Sequence, residues 1–454
     1  MQAAQGFLEF VNSSPSPFHA VATAVRRLET KGFQKVYTHL VTFIQLKEQD
    51  SWDLKAGGKY YVTRNQVALL AFTLPSNWKS GAGVSIVATH IDSPNLRVRP
   101  ISKKSTLGYL QVGVETYGSG LWFTWLDRDL SVAGRVVITN KAGTEFTSKL
   151  VKVEKPILRV PNLAIHLDGS ANDAFKFNKQ TEFIPILGVA GDQLNAPQES
   201  SANHHPAFLA AISDQLSVSP ELISDMELSL YDTQPSVIGG INNDFIFSPR
   251  LDNQLSSYCA VEAMATSSHT SSENVNCIAL FNHEEVGSGS SSGAAGSLIP
   301  YLLQRLSPHA EDHARSVAKS FLISADVTHA VHPSYPNKHE ESHSPRINSG
   351  IAIKLNHKQR YASDAIGSFL VRKLVEKKGG KVQEFAARND MPCGSTVGPI
   401  LSQIGLRTVD VGNPILSMHS CREMAGTQDV QSCIDLFTSF FEEFSVLDKQ
   451  LTLV

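Results

Sequence analysis

Apolar positions in this 454-residue chain change their period twice. Near the start, Val21, Val25 and Leu28 recur at helical spacing. Ser16 stands ready as a cap, Pro17 takes the first helical position and Gly32 follows the end, which predicts the first helix between them. The run AGVSIVATHID, residues 82–92, is almost continuously apolar and predicts a strand buried on both faces, ending at His90 and Asp92.

From about residue 96 the texture becomes β-rich and partly alternating, with glycines as punctuation and a polar loop at 195–207. After residue 245 the first texture returns. Apolar β runs at 276–281, 320–325, 350–355, 381–387 and 406–411 alternate with helical stretches. One helix ends on Gly379-Gly380. The last, with Thr427 as its cap, carries Val430, Ile434, Phe437, Phe441 and Phe444 on one stripe. Strands alternating with helices predict an α/β fold: a catalytic domain with a largely parallel mixed sheet flanked by helices, interrupted by an inserted β-rich domain. The predicted division is 1–95, 96–240 and 241–454.

Composition narrows the function classes. Apolar residues make up 42% and charged residues 18%, as in ordinary globular proteins. The net charge of -3, with no block of like charges, argues against a nucleic-acid groove or a polybasic membrane patch. No apolar run reaches the roughly 20 residues of a membrane helix. The N-terminus lacks the basic leader and apolar core of a secretory signal. Five scattered cysteines form no C-x-x-C and read as free thiols in a reducing compartment. The expectation is a cytoplasmic protein without nucleic-acid or membrane partners.

Candidate chemistry begins with a distraction. His339-Glu340-Glu341-Ser342-His343 is a literal H-E-x-x-H, which grips zinc when helical. Pro333, Pro336 and Pro345 bracket it and no apolar stripe docks it, so a polar loop is expected. The ends of the apolar strands hold more. His90 and Asp92 follow one run; His283, Glu284 and Glu285 another; Asp326, His329 and His332 a third. Asp252 opens a helix and His419 follows a late β run. In open α/β sheets the ligand crevice lies at the carboxyl ends of strands. Alone, a histidine after a strand is more often a structural residue than a ligand, and an aspartate before a helix is usually a cap. Adjacent Glu284 and Glu285 would repel unless their roles differ, one as ligand and the other as base. A two-metal site needs a similar inventory. Asp92, two residues from His90, is placed to hold that imidazole's second nitrogen. From the residues alone Lys354, at the end of a strand, reads as a surface lysine, and His204-His205 as loop residues.

Taken together, ATHIDSPNLRVRP, PNLAIHLD, SPRLDNQLSSYCAVEAM, FNHEEVGSGSSSGAAGS, ADVTHAVHPSYPNKHEESHSP, IKLNHKQRYASDA, MPCGSTVGPI and MHSCREMAGT make the chain resemble, end to end, the aspartyl aminopeptidases. These are cytosolic di-zinc exopeptidases related to the fungal vacuolar aminopeptidase. The resemblance implies two zinc ions per subunit, one exchangeable for manganese or cobalt. It implies His90 and His419 as terminal ligands, Asp252 as bridge, and Glu285 and Asp326 as the remaining ligands. Glu284 would be the general base, supported by Asp92, and would also face the substrate with Asp326. His166 would enter a neighbouring subunit's active site, with catalytic and substrate-binding roles. Lys354 would recognise the acidic first residue, beside His329, and residues 393–398 would line the pocket. The insert would mediate dimer contacts in a tetrahedral dodecamer acting on peptides with an acidic N-terminal residue. In this family the H-E-x-x-H stretch is a loop. Unlike the vacuolar relative, the chain is expected to start at the catalytic domain. Two alternatives stay open: a di-zinc aminopeptidase preferring neutral residues, and a non-catalytic assembly or cargo protein.

Overall fold

The structure, a computed structural model, describes residues 1–31, 44–190, 203–268 and 272–452. The expected terminator Gly32 and residues 195–202 of the polar loop lie outside the described residues. The chain divides into two compact units: Met1–Ser93, Ser236–Met418 and Glu423–Val454 form the larger, and Pro94–Pro235 with His419–Arg422 the smaller.

The larger unit is built on a nine-stranded sheet. Its order is Ile44–Leu46, Lys59–Arg64, Ala68–Thr73, Val275–Phe281, Val84–His90, Phe321–Ala325, Arg407–Gly412, Ala352–Leu355, Gln383–Ala386. The four strands from Val275–Phe281 to Arg407–Gly412 run parallel, as the buried apolar runs predict; antiparallel pairings lie on both sides of them, so the sheet is mixed. Every residue of Val84–His90 and Phe321–Ala325 is buried, because both faces of the sheet are covered. Val87 packs into one apolar cluster with helices Gln2–Asn12, Leu251–Thr266 and Thr427–Lys449. Ile86 and Ala88 point into a second cluster with helices Leu298–Leu306 and Val397–Ser402.

Two local expectations shift. The helix Pro17–Lys31 is the second, not the first: Gln2–Asn12 precedes it, burying Ala3, Ala4, Phe7, Leu8 and Val11 at i, i+3 and i+4 spacing. The last helix begins at Thr427 with Gly426 as its cap, so Thr427 is helical rather than capping. Its predicted stripe is buried as expected; each such side chain contributes about 1.5–3 kcal/mol of apolar burial.

A second sheet of the larger unit joins Val237–Gly239, Phe245–Ser248, Glu423–Gly426, Pro414–Leu416 and Thr328–His329. The smaller unit holds a six-stranded sheet, antiparallel at every pairing, with its own core around Trp125, Phe183 and Phe208. It also contains a helix, Pro206–Leu216, that begins inside the stretch expected to be loop. Among the described residues no helix is long and apolar enough to cross a membrane.

Candidate metal centre

Parallel register levels the site. Phe281 pairs with His90, and Ser324 pairs with Ala88, so Asp326 falls level with His90 at the carboxyl end of the sheet. The His90 backbone is fixed by Ser257, whose hydroxyl donates to the His90 carbonyl at 2.8 Å. Asp252 follows Leu251 at the entrance to the buried helix, in a non-helical conformation. Its backbone N–H donates to Glu423 Oε2 at 3.1 Å and its carbonyl accepts from Ser93 Oγ. The neighbouring Asn253 donates its amide to the Ala325 carbonyl at 2.8 Å, tying the helix entrance to the strand that delivers Asp326.

These anchors bring three donors together. His90 Nε2 lies 3.2 Å from Asp252 Oδ1 and 3.4 Å from Asp326 Oδ1. A tetrahedral zinc with bonds of about 2.0–2.1 Å has ligand–ligand edges of about 3.3–3.4 Å, so the spacing fits that ion. The donor set, one imidazole nitrogen and carboxylate oxygens, is also the one zinc takes. A carboxylate oxygen of Glu285 lies within 4.8 Å of one from Asp252, which therefore neighbours two potential ligand groups. His90, Asp252 and Asp326 are all buried or nearly so, where like charges repel strongly unless a cation stands between them.

The field around His90 says the same. Burial alone would lower the imidazole pKa, but the carboxylates of Glu284, Asp252, Asp326 and Asp92 outweigh it and raise it well above the ordinary value. A pocket that favours a positive imidazole also favours a metal cation. Glu284 Oε2 lies 3.8 Å from His90 Nε2, and burial, reinforced by Asp326, Asp252 and Asp92 against His90, pushes its carboxyl up to about 8.

Asp92 reaches His90 in a different way from the simplest reading. Its backbone carbonyl lies 3.0 Å from Nδ1, while its carboxylate stands farther off at 3.5 Å. A hydrogen bond to that carbonyl places the proton on Nδ1 and turns Nε2 to the carboxylates. The Asp92 carboxylate instead accepts from the backbone N–H groups of Glu284 and Glu285, at 3.2 and 3.1 Å. One buried aspartate thus holds both the imidazole and the short helical turn Glu284–Val286.

Lys354 is the clearest departure from a reading of the residues alone. It is 2% exposed, not a surface lysine. Its Nζ donates to the carbonyls of Asp326 and Val327 at 3.2 and 3.1 Å and to Asp326 Oδ2 at 3.4 Å, and stands 4.8 Å from the Tyr361 ring centre. His329 is exposed and stacks on Phe385 at 5.4 Å. His283 is drawn to Ser290 Oγ at 2.7 Å. His205 is buried and bonded to the Lys104 carbonyl, and His204 to Ser102 Oγ. His166 is exposed in the smaller unit, which also contains His419, 3.0 Å through Nδ1 from the Ser119 carbonyl. The H-E-x-x-H stretch is irregular: His339 Nε2 lies 3.2 Å from the His329 carbonyl, and His343 pairs with Glu340. Sequence reasoning does not reach Glu423, Asn253 or Asp410: a single polar residue at a strand start, a helix entrance or inside an apolar strand carries no local signal of the partner it will meet.

An α/β sheet whose strand ends gather an imidazole and carboxylates around one point has the donor set of a metal-dependent hydrolase. The family described as aminopeptidase I zinc metalloprotease (M18) matches residues 10–441, and the chain belongs to this family of zinc-dependent aminopeptidases. Aspartyl aminopeptidase 1 of Schizosaccharomyces pombe is 43% identical over 98% of this chain and 96% of its own. Among solved structures, the cryo-EM structure of the Ape4 and Nbr1 complex superposes with a TM-score of 0.95 at 42% identity, covering 100% of this chain and 87% of that one. The mApe1 dodecamer of S. cerevisiae gives 0.82 at 31% identity, covering 99% of both.

Proposed function

We propose that the protein releases N-terminal Asp or Glu from peptides, with two zinc ions per subunit, one exchangeable for manganese or cobalt. The observation that carries this reading is the approach of His90 Nε2 to Asp252 and Asp326 at 3.2 and 3.4 Å. His90 and Asp326 would hold one ion, Glu285 and His419 the other, with Asp252 between them. When bound, the ions lower the pKa of water toward neutrality and polarise the scissile carbonyl. Glu284, beside His90, takes the water's proton and returns it to the leaving amine. Asp92 fixes the turn that carries Glu284.

Support for the acidic substrate comes from relatives named aspartyl aminopeptidases and from Lys354, a buried ammonium beside Asp326. Of its three contacts, the one to Asp326 Oδ2 is the longest and is the one a substrate carboxylate replaces. Such a charge-assisted bond is worth about 1.5–3 kcal/mol, or roughly one to two decades of preference. His329, beside it, completes the substrate side. His166 would stabilise the developing oxyanion in a neighbouring subunit. The inserted domain would build dimers, and dimers a closed tetrahedral dodecamer that admits peptides and excludes folded proteins; a similar chain is solved as a dodecamer. The free cysteines suit a cytoplasmic location.

The test is hydrolysis of aspartyl-, glutamyl- and leucyl-anilides, with zinc content determined on the same preparation. Faster cleavage of the leucyl substrate establishes the neutral-preferring alternative. A metal-free, inactive preparation that zinc does not restore establishes the non-catalytic one.

A further inference from the structure

We infer that Asp410 is a positioning residue for substrate selectivity: it fastens the segment at Tyr361, whose ring faces Lys354, to the segment at Thr396. The inference rests on the reading of Lys354 given above. Asp410 lies in the strand Arg407–Gly412, opposite Ser324 and two residues before the close approach of Gly412 to Asp326. It is fully buried. Burial pushes its carboxyl pKa up, while Ser324, Thr396, the Lys354 charge and the Ala362 N–H draw it down. A buried carboxylate is costly unless its oxygens are matched, and here they are.

Oδ2 accepts from the Ala362 N–H at 2.6 Å and Oδ1 from the Thr396 hydroxyl. The backbone N–H of Asp410 donates to Ser363 Oγ at 2.9 Å. Ala362 and Ser363 adjoin Tyr361, whose buried ring faces the Lys354 ammonium. Thr396 caps the helix Val397–Ser402 through the Gly398 N–H. Gly398 is required: a Cβ there would sit 2.5 Å from Asp410 Oδ2. The two segments are then laced to each other, Arg360 Nε to the Cys393 carbonyl and Ser395 Oγ to the Arg360 carbonyl, both at 3.1 Å. Asp410 is thus the common base of a frame that holds Tyr361 against Lys354.

The chemistry requires a carboxylate. The Ala362 N–H and the Thr396 O–H reach its two oxygens from different segments, and only an acceptor-only group satisfies both without reorientation. The isosteric change Asp410→Asn turns an NH₂ toward one of them.

The experiment measures kcat and KM for aspartyl- and leucyl-anilide in wild type, Asp410→Asn, Thr396→Val and Lys354→Leu. The expected result for Asp410→Asn is a fall of about tenfold in the aspartyl-to-leucyl ratio of kcat/KM, carried by KM, at unchanged zinc content. Thr396→Val, which removes the hydroxyl donor to Oδ1, should move the ratio the same way by a smaller factor. It also decides the matter if Asp410→Asn does not fold. Equal losses on both substrates reduce Asp410 to a structural residue and overturn the inference. A wild type without acidic preference, or a Lys354→Leu variant that keeps it, overturns the substrate reading and this one with it. An intact Lys354 effect with an unmoved Asp410→Asn and Thr396→Val ratio overturns this one alone.

Discussion

Two parts of the larger unit are rich in histidine and acid, and they behave differently. At the carboxyl end of the sheet, His90, Asp252, Glu284 and Asp326 come from four separate elements and face one point. In the segment 339–343 two histidines and two glutamates lie within five residues, yet they satisfy neighbours: His343 takes Glu340 and approaches Glu384 at 3.7 Å, and His339 takes a backbone carbonyl. Rigidity separates the two. Strand ends buried on both faces hold their side chains against mutual repulsion, so the pocket keeps a charge imbalance that a cation relieves. A loop relaxes until its charges pair, and no demand for metal survives.

The contrast can be broken by experiment. His90→Ala should lower zinc content and bring turnover to background, read by metal analysis and anilide hydrolysis; retained turnover would dissolve the distinction. Glu284→Gln should keep zinc and lower kcat by about 10²–10⁴-fold, the range of a positioned acid–base group. Near-normal turnover would remove Glu284 as the base. His166→Phe should lower kcat by about a hundredfold without metal loss, as for a lost oxyanion donor. Unaltered activity would place it outside the site. Lys354→Leu should cost aspartyl cleavage about 10–100-fold and leucyl cleavage far less. Parallel losses would refute the specificity role. The smallest effect belongs to the other region: replacing His339 and His343 together with Ala should leave zinc content and turnover within about twofold, as for surface changes away from a site. Loss of zinc there would reverse the comparison.

Much of the larger unit was legible. The runs at 82–92, 276–281 and 320–325 are strands because continuous apolar β sequence has no solvated face to offer. Proline spacing rightly demoted the H-E-x-x-H stretch. Less was legible where polar residues are buried. Lys354 looks like any lysine after a strand; its three acceptors come from the strand end at Asp326 and Val327, 28 and 27 residues earlier. Asp92 sits beside His90 in sequence, but nothing local shows its carboxylate turning to amides almost two hundred residues away. The opening helix Gln2–Asn12 is written in its apolar spacing alone, without the capping and proline signals that mark the next helix at Ser16 and Pro17.

By itself the amino-acid sequence determined the alternation of buried strands and amphipathic helices, the positions of acids and histidines just past those strands, and the family. Periodicity and strand-end chemistry are local properties, written within a dozen residues. The tertiary structure alone decided which of those groups meet: the parallel register that levels His90 with Asp326, the Asn253 tether, the burial of Lys354 and Asp410. Those depend on contacts between residues far apart along the chain. Their energies come from desolvation and charge pairing, which exist only once the pocket has closed.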